Sequence, residues 1–165
     1  MSLTSRTPVS GACDAGPDLK ALFSELVRLE TELWNAVESR LRSEHGITLP
    51  FFEFMRIISR HPLCRVNDIA AELSITVGGA SKIVDRIEAA GYCVRHRNPR
   101  DRRSSIIVLT PVGQRLLPKI LTTVDDELRT RLGSEFSDRS LARLTRTLTR
   151  LRASVRSAGA VEKTA

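Results

Sequence analysis

Residues 65–110 read RVNDIAAELSITVGGASKIVDRIEAAGYCVRHRNPRDRRSSIIVLT, and their punctuation decides the fold. Val66, Ile69, Ala70 and Leu73 make one short helical face. The turn SIT follows, and Thr76 is placed to cap a second helix whose buried face is Ala80, Ile83, Val84 and Ile87. Gly91 stops that helix. Strand formers then flank the turn signal Asn98-Pro99, with Ile106, Ile107 and Val108 on the return side. Two short helices joined by a tight turn, with a hairpin directly after the second, predict a winged helix-turn-helix.

The hairpin carries an unusual charge. Between Arg95 and Arg103 stand five arginines (95, 97, 100, 102 and 103) against one acid, Asp101, a net +4 over nine residues. Such a tip repels itself unless something anionic neutralises it. Strands hold the charges on a narrow loop, which suits the minor groove of DNA, where negative potential attracts arginine. Asp101, two residues before Arg103, can orient its guanidinium through a charge-assisted bond. On the second helix, Gly78, Gly79, Ser81, Lys82, Asp85 and Arg86 are left facing outward. Small residues at the helix start allow close entry into a major groove, and Lys82 and Arg86 can then meet phosphates or base edges. Glycine itself reads no base edge.

Outside this unit the chain is helical. Residues 1–17 are small, polar and Gly/Pro-punctuated, and are expected to be disordered. From Asp18, a plausible N-cap, the apolar residues Leu19, Leu22, Leu26, Leu29, Leu33 and Val37 recur at steps of three and four up to Gly46. At ~1.5 Å per residue this helix runs roughly 40 Å, long enough to lean on a partner as well as on its own domain. A short helix rich in Phe51, Phe52 and Phe54 spans about Pro50 to Arg60 and is closed by Pro62. Thr110-Pro111 opens another helix, which Pro118 should bend and Gly133 should end. A last helix is expected from about Ser137 to Ser157. On it Arg139, Arg143, Arg146 and Arg150 form a basic face that can pair with Asp125, Asp126 and Glu127.

Composition narrows the function. The chain has 165 residues, 41 % of them hydrophobic, and a net charge of +7. That is one domain with helical extensions and a preference for an acidic partner. No apolar run reaches the length of a membrane span, and the first residues lack an apolar signal core, so a cytoplasmic, nucleoid-associated protein without a membrane partner is expected. Cys13, Cys64 and Cys93 are odd in number and widely spaced, unlike a disulfide framework. An enzyme is not expected. GGASK sits inside a helix and is no nucleophile elbow, the carboxylates and the three histidines are scattered, and no phosphate-binding glycine loop exists.

DRRSSIIVLT followed by PVG resembles the D-x-R…LT-x-x-G signature of the MarR family of bacterial transcription regulators. VDRIEAAGYCVR is similar to the end of that family's recognition helix and its first wing strand, and the order of elements agrees over roughly residues 18 to 156. The resemblance implies a homodimer that binds double-stranded DNA at a pseudo-palindromic operator, usually as a repressor. It implies that Asp101 and Arg103 set the wing into the minor groove. It also places Ser81, Lys82 and Arg86 on the DNA face, where Thr76, Gly78, Gly79, Arg97, Arg100 and Arg102 join them. Family members often release DNA on binding a small aromatic or lipophilic ligand, for which Trp34, Phe51, Phe54 and Arg95 are the candidates here. Neither a cofactor nor a metal is expected. His45 lies near one metal-ligand position of the family, but the helix from Pro111 to Leu132 has no histidine. A redox role has little support, since the first helix has no cysteine.

The expected fold is therefore mainly α with a small β-hairpin wing (α+β). The winged helix-turn-helix at 46–110 is flanked by helical dimerisation segments at 18–45 and 111–157, with a frayed tail at 158–165. A reading of another class, a helical protein-interaction or membrane-surface module whose wing binds a non-DNA anion, is separable by the salt dependence of duplex binding.

Overall fold

The computed structural model describes residues 16–99, 101, 104–133 and 135–161. Residues 1–15, Arg100, Arg102, Arg103, Ser134 and the last four residues lie outside the described residues, so the expectations for them are left as sequence readings. The chain runs α1 (Leu19–His45), α2 (Leu49–Arg60), α3 (Val66–Leu73), α4 (Val77–Ala89), β1 (Cys93–Arg97), β2 (Ser105–Leu109), α5 (Pro111–Leu132) and α6 (Asp138–Val161). The strands pair antiparallel, with Cys93 opposite Leu109, Arg95 opposite Ile107 and Arg97 opposite Ser105.

Local signals start and stop these helices. Asp18 Oδ1 accepts from the backbone N–H groups of Lys20 and Ala21, and Gly46 closes α1 in the left-handed region at φ 66°. Thr48, Thr76 and Thr110 each accept a backbone N–H three residues on, at the starts of α2, α4 and α5. Arg65 has no acceptor with which to cap α3. Asp68 supplies half of a capping box instead, its carboxylate accepting the Arg65 backbone N–H at 2.8 Å. Glu38 reaches across from α1 to accept the Leu49 backbone N–H at the start of α2.

The core sits where α1, α2, α5 and the hairpin meet α3 and α4. Leu41, Phe54, Met55, Ile69, Ile87 and Ile107 are among its fully buried side chains. The 62–65 segment adds one strand-like bond, Ile107 N–H donating to the Cys64 carbonyl at 2.8 Å. This bond carries the hairpin into the core and explains why Cys64, a loop residue, is fully buried. Polar ties hold α1 to α5. The Thr123 hydroxyl lies 3.0 Å from Glu44 Oε2 and 2.8 Å from His45 Nε2, and Arg40 reaches Glu127 at 3.3 Å.

Two expectations are revised. α6 continues to Val161, four residues past the expected end at Ser157, through Gly159. A single glycine costs a helix only about 1 kcal/mol, which the flanking alanines and the arginine-rich turns before it can absorb. Among the described residues the acids of α5 also form no ion pair with α6. Asp125 pairs with Arg129 and Glu127 with Arg131, since partners one turn away on the same helix cost less order to engage, and Glu127 also reaches Arg40 on α1. α5 itself continues through Pro118, one backbone bond short. Among the described residues no helix is long and apolar enough to cross a membrane.

The join between the wing and α5 is tight. Thr110 N–H donates to the Tyr92 carbonyl, and its hydroxyl donates to the Gly91 carbonyl at 2.7 Å while capping Gly113 N–H. A Cβ on Gly113 would lie 2.2 Å from the Tyr92 carbonyl oxygen. Backbone cannot yield as a side-chain tip can. Gly113→Ala is therefore expected to destabilise the fold by about 1–3 kcal/mol, seen as a lower urea midpoint at unchanged slope. A midpoint equal to the parent's would contradict this contact.

Candidate nucleic-acid interface

α4 has two faces. Ala80, Val84 and Ile87 are buried and Ile83 packs beside them. Gly78, Lys82, Asp85 and Arg86 are exposed on the other side, and Gly79 and Ser81 are half-buried. The two glycines differ. A Cβ on Gly79 would lie 3.0 Å from Thr76 Oγ1, the cap atom, whereas a Cβ on Gly78 meets nothing within 4 Å. Gly78 therefore leaves open space over the first turn of α4 that no intramolecular contact requires. The Arg86 guanidinium stacks over the Phe51 ring, 5.6 Å from its centroid, so it is held beside α2 by a contact worth about 0.5–1 kcal/mol.

The wing stands next to this face. Arg97 is exposed at the outer end of β1. Beyond it Asn98 clasps the loop. Its N–H donates to the Ser104 carbonyl and its Nδ2 to Ser104 Oγ at 2.9 Å, while its carbonyl accepts from Asp101 N–H. The Asp101 carbonyl in turn accepts the Ser104 N–H at 3.1 Å. The sequence reading took Asn98 only as a turn former. Its side chain closes the base of the tip and is nearly buried. Between the wing, the start of α3 and α4 lies an open cleft of about 430 Å³, lined among others by Arg65, Val77, Ser81, Arg95 and Ser105.

Arg95 stands out among the ligand candidates. It is ion-paired to Asp85 at 2.7 Å and to Glu88 at 2.5 Å. Burial pulls its pKa down, but the bonds and charges of Glu88 and Asp85 outweigh that, and the net shift is upward. The other candidates do not share one environment. Phe54 is 1 % exposed in the core, Trp34 is exposed on α1, and Phe51 lies half-buried under Arg86. Burial raises the thiols of Cys64 and Cys93 to about 11, with nearby carboxylates adding to it, so neither is a ready thiolate. Among the described residues no group of three or more histidines, cysteines and carboxylates is placed to hold a metal. The sequence reading also missed Ile75 and Val77, apolar residues on either side of the cap, which are 40 % and 50 % exposed at the tip of the helix-turn-helix. Their pattern alone would have put them inside.

These elements define a class: a winged helix-turn-helix whose second helix and hairpin stand side by side. Residues 47–105 match the model of the MarR family. That family consists of transcription regulators, not enzymes. The HTH-type transcriptional regulator BilQ of Clostridium symbiosum is 30 % identical over 82 residues, covering 50 % of this chain and 56 % of that protein. The chain spans about half the length of the curated relatives it matches. Among solved structures, Sco3205 of Streptomyces coelicolor, a MarR family regulator in complex with DNA, superposes with a TM-score of 0.75. It is 18 % identical and covers 82 % of this chain and 90 % of its own. CouR of Rhodococcus jostii RHA1, bound to p-coumaroyl-CoA, has a TM-score of 0.70 at 23 % identity, covering 81 % and 91 %. At such identities the likeness establishes the fold.

The open space at Gly78 makes a stability prediction. Gly78→Ala should stabilise the folded chain by about 0.5–1 kcal/mol, since alanine suits a helix better and meets no neighbour. Urea denaturation reads this directly, and a lowered midpoint would contradict the geometry.

Proposed function

We propose that this chain is a homodimeric DNA-binding transcription regulator, acting as a repressor in the cytoplasm on the nucleoid. In this reading α4 enters the major groove of each half of a pseudo-palindromic operator and the wing reaches the adjacent minor groove. The observation that carries it is the outer face of α4. A capped helix start, an unobstructed glycine at Gly78, and exposed Lys82 and Arg86 stand beside a basic wing. Thr76, Gly79 and Ser81 complete the groove-facing turn, and Arg97, Arg100, Arg102 and Arg103 supply the wing's positive charge. Asp101 orients Arg103.

The dimer reading rests on unspent apolar surface. In α1 only Val37 and Leu41 are buried, while Leu19, Leu22, Phe23, Leu26, Val27 and Leu29 are exposed. On α6 Leu144, Leu148, Leu151 and Val155 are exposed as well. A monomer rarely shows so much contiguous apolar area without a partner to cover it. A second copy brings the same two stripes under two-fold symmetry. Release by a small aromatic or lipophilic ligand belongs to the same proposal, with Trp34 and Phe51 as its nearest aromatic contacts. Phe54 is committed to the core and Arg95 to its ion pairs.

Selection of bound fragments from random duplexes, with sedimentation of the same protein at micromolar concentration, tests the reading. The expected result is a dimer that recovers a pseudo-palindrome with half-sites about one helical turn apart. A monomer, or unrepeated sites, would overturn it.

The wing makes a second test. Arg103→Ala should weaken operator binding by about 1–3 kcal/mol. Asp101→Ala should weaken it too, although it removes a negative charge from a DNA-facing surface. If Asp101 works through Arg103, the double variant binds like Arg103→Ala alone. Tighter binding by Asp101→Ala, in a double-mutant cycle at one salt concentration, would show that Asp101 only dilutes the wing's charge.

A further inference from the structure

Arg95 opens the basic run of the wing, and a count of charges assigns it to DNA with its neighbours. Its contacts assign it elsewhere. The Arg95 backbone N–H donates to Glu88 Oε1 at 2.9 Å, and its Nη1 donates to the other oxygen of the same carboxylate. Its Nη2 lies 2.7 Å from Asp85 Oδ1 and 3.5 Å from the Ser81 carbonyl. Asp85 and Glu88 are three apart on α4 and so lie on one face of that helix. One arginine on β1 thus spans three residues of the recognition helix, from Ser81 to Glu88. The side chain is 23 % exposed, and its strand partner Ile107 is fully buried and bonded to Cys64. The hairpin is therefore pinned at one register from two sides, through the core at Ile107 and through the guanidinium at Arg95.

We propose that Arg95 is a positioning residue for DNA recognition: by bridging Asp85 and Glu88 it sets the angle of the wing to α4, and so the distance between the major-groove and minor-groove contacts. This rests on the DNA-binding reading above. Arg95 makes no phosphate contact in this role. It also neutralises two carboxylates that would otherwise repel the backbone from the very helix that enters the groove. Lysine cannot replace it. A planar fork holds two carboxylates in fixed directions, whereas an ammonium is a point charge.

The test uses the full chain and two probes, the palindromic duplex returned by selection and a random-sequence duplex of equal length. Arg95→Ala is expected to lower affinity for the palindrome by roughly tenfold or more and for the random duplex by about twofold or less. The slope of log affinity against log salt should be unchanged, because no phosphate contact is lost. Hydroxyl-radical protection in the flanking minor groove should fade while methylation protection in the major groove persists. Arg95→Lys should recover only part of the affinity. The double variant Asp85→Asn/Glu88→Gln should also bind the palindrome more weakly, although it makes the surface more positive, and it serves as the test if Arg95→Ala does not fold. A salt slope lowered by about one, tighter binding by the double variant, or an intact minor-groove footprint in Arg95→Ala would overturn the proposal. If the parent protein prefers no duplex sequence, the DNA-binding reading fails and takes this proposal with it. If the parent prefers the palindrome and Arg95→Ala binds and protects it equally well, only the positioning role fails.

Discussion

One hydroxyl joins the two halves of this molecule. Thr110 Oγ1 accepts the Gly113 N–H at the start of α5 and donates to the Gly91 carbonyl just after α4. The Thr110 N–H meanwhile holds the Tyr92 carbonyl. Three backbone groups that a helix end or a turn would otherwise leave unpaired, on Gly91, Tyr92 and Gly113, are satisfied by this one residue. The long helix α5 is thereby welded to the base of the wing and to the end of α4. Gly113 permits this, because the first turn of α5 approaches Tyr92 too closely for any side chain. Whatever positions α5 therefore also positions the hairpin and the second helix of the motif.

The charges are distributed to the same end. Most carboxylates of the long helices are spent locally. Glu38 serves Arg42 and the start of α2, Glu44 serves Arg40 and Thr123, and Glu127 serves Arg40 and Arg131. Exposed pairs of this kind add little stability. What they leave is an uneven surface. Asp85 and Glu88 on α4 are occupied by Arg95, so Lys82 and Arg86 stand exposed on that helix without acidic competition from either. A net charge of +7 spread evenly would favour any polyanion. Where part of it stands together, as at Lys82 and Arg86 on α4, it can give orientation as well as attraction.

How much was legible in the sequence follows from the range of each interaction. Caps act over three residues, so Asp18, Thr76 and Thr110 could be read directly, as could the stop at Gly91, whose φ of 79° favours glycine. Periodicity found the buried face of α4 as well. Contacts between elements were not legible. Nothing in the spacing of Arg95, Asp85 and Glu88 says that they meet, and the local charge count pointed the other way. The Asn98–Ser104 clasp, the reach of Glu38 to Leu49 and the close approach at Gly113 depend on how the chain folds back, which no local pattern records. The end of α6 was misplaced for a different reason: a glycine weighs against a helix without forbidding it.

The exposed stripes of α1 and α6 bear on recognition as well as on assembly. A two-fold regulator reads two half-sites only if its two α4 helices are held at one separation, and that separation is set by the helices that join the copies. Here the connection from those helices to α4 is short and stiff. α1 is tied to α5 through Thr123, Arg40 and Glu127, α5 to the wing through Thr110 and Gly113, and the wing to α4 through Arg95. α6 adds a lighter tether, Arg156 donating to the Ala71 carbonyl and to Ser74 Oγ at the turn before α4. Beside the shared apolar core, each link thus carries a directional or close-fitting contact. In the dimer proposed here, a ligand wedged among the long helices would therefore need to move them only slightly to misalign both reading heads. The same directness makes the arrangement sensitive to loss of a single bond, which is why its critical contacts sit at Thr110, Gly113 and Arg95 rather than in the middle of the core.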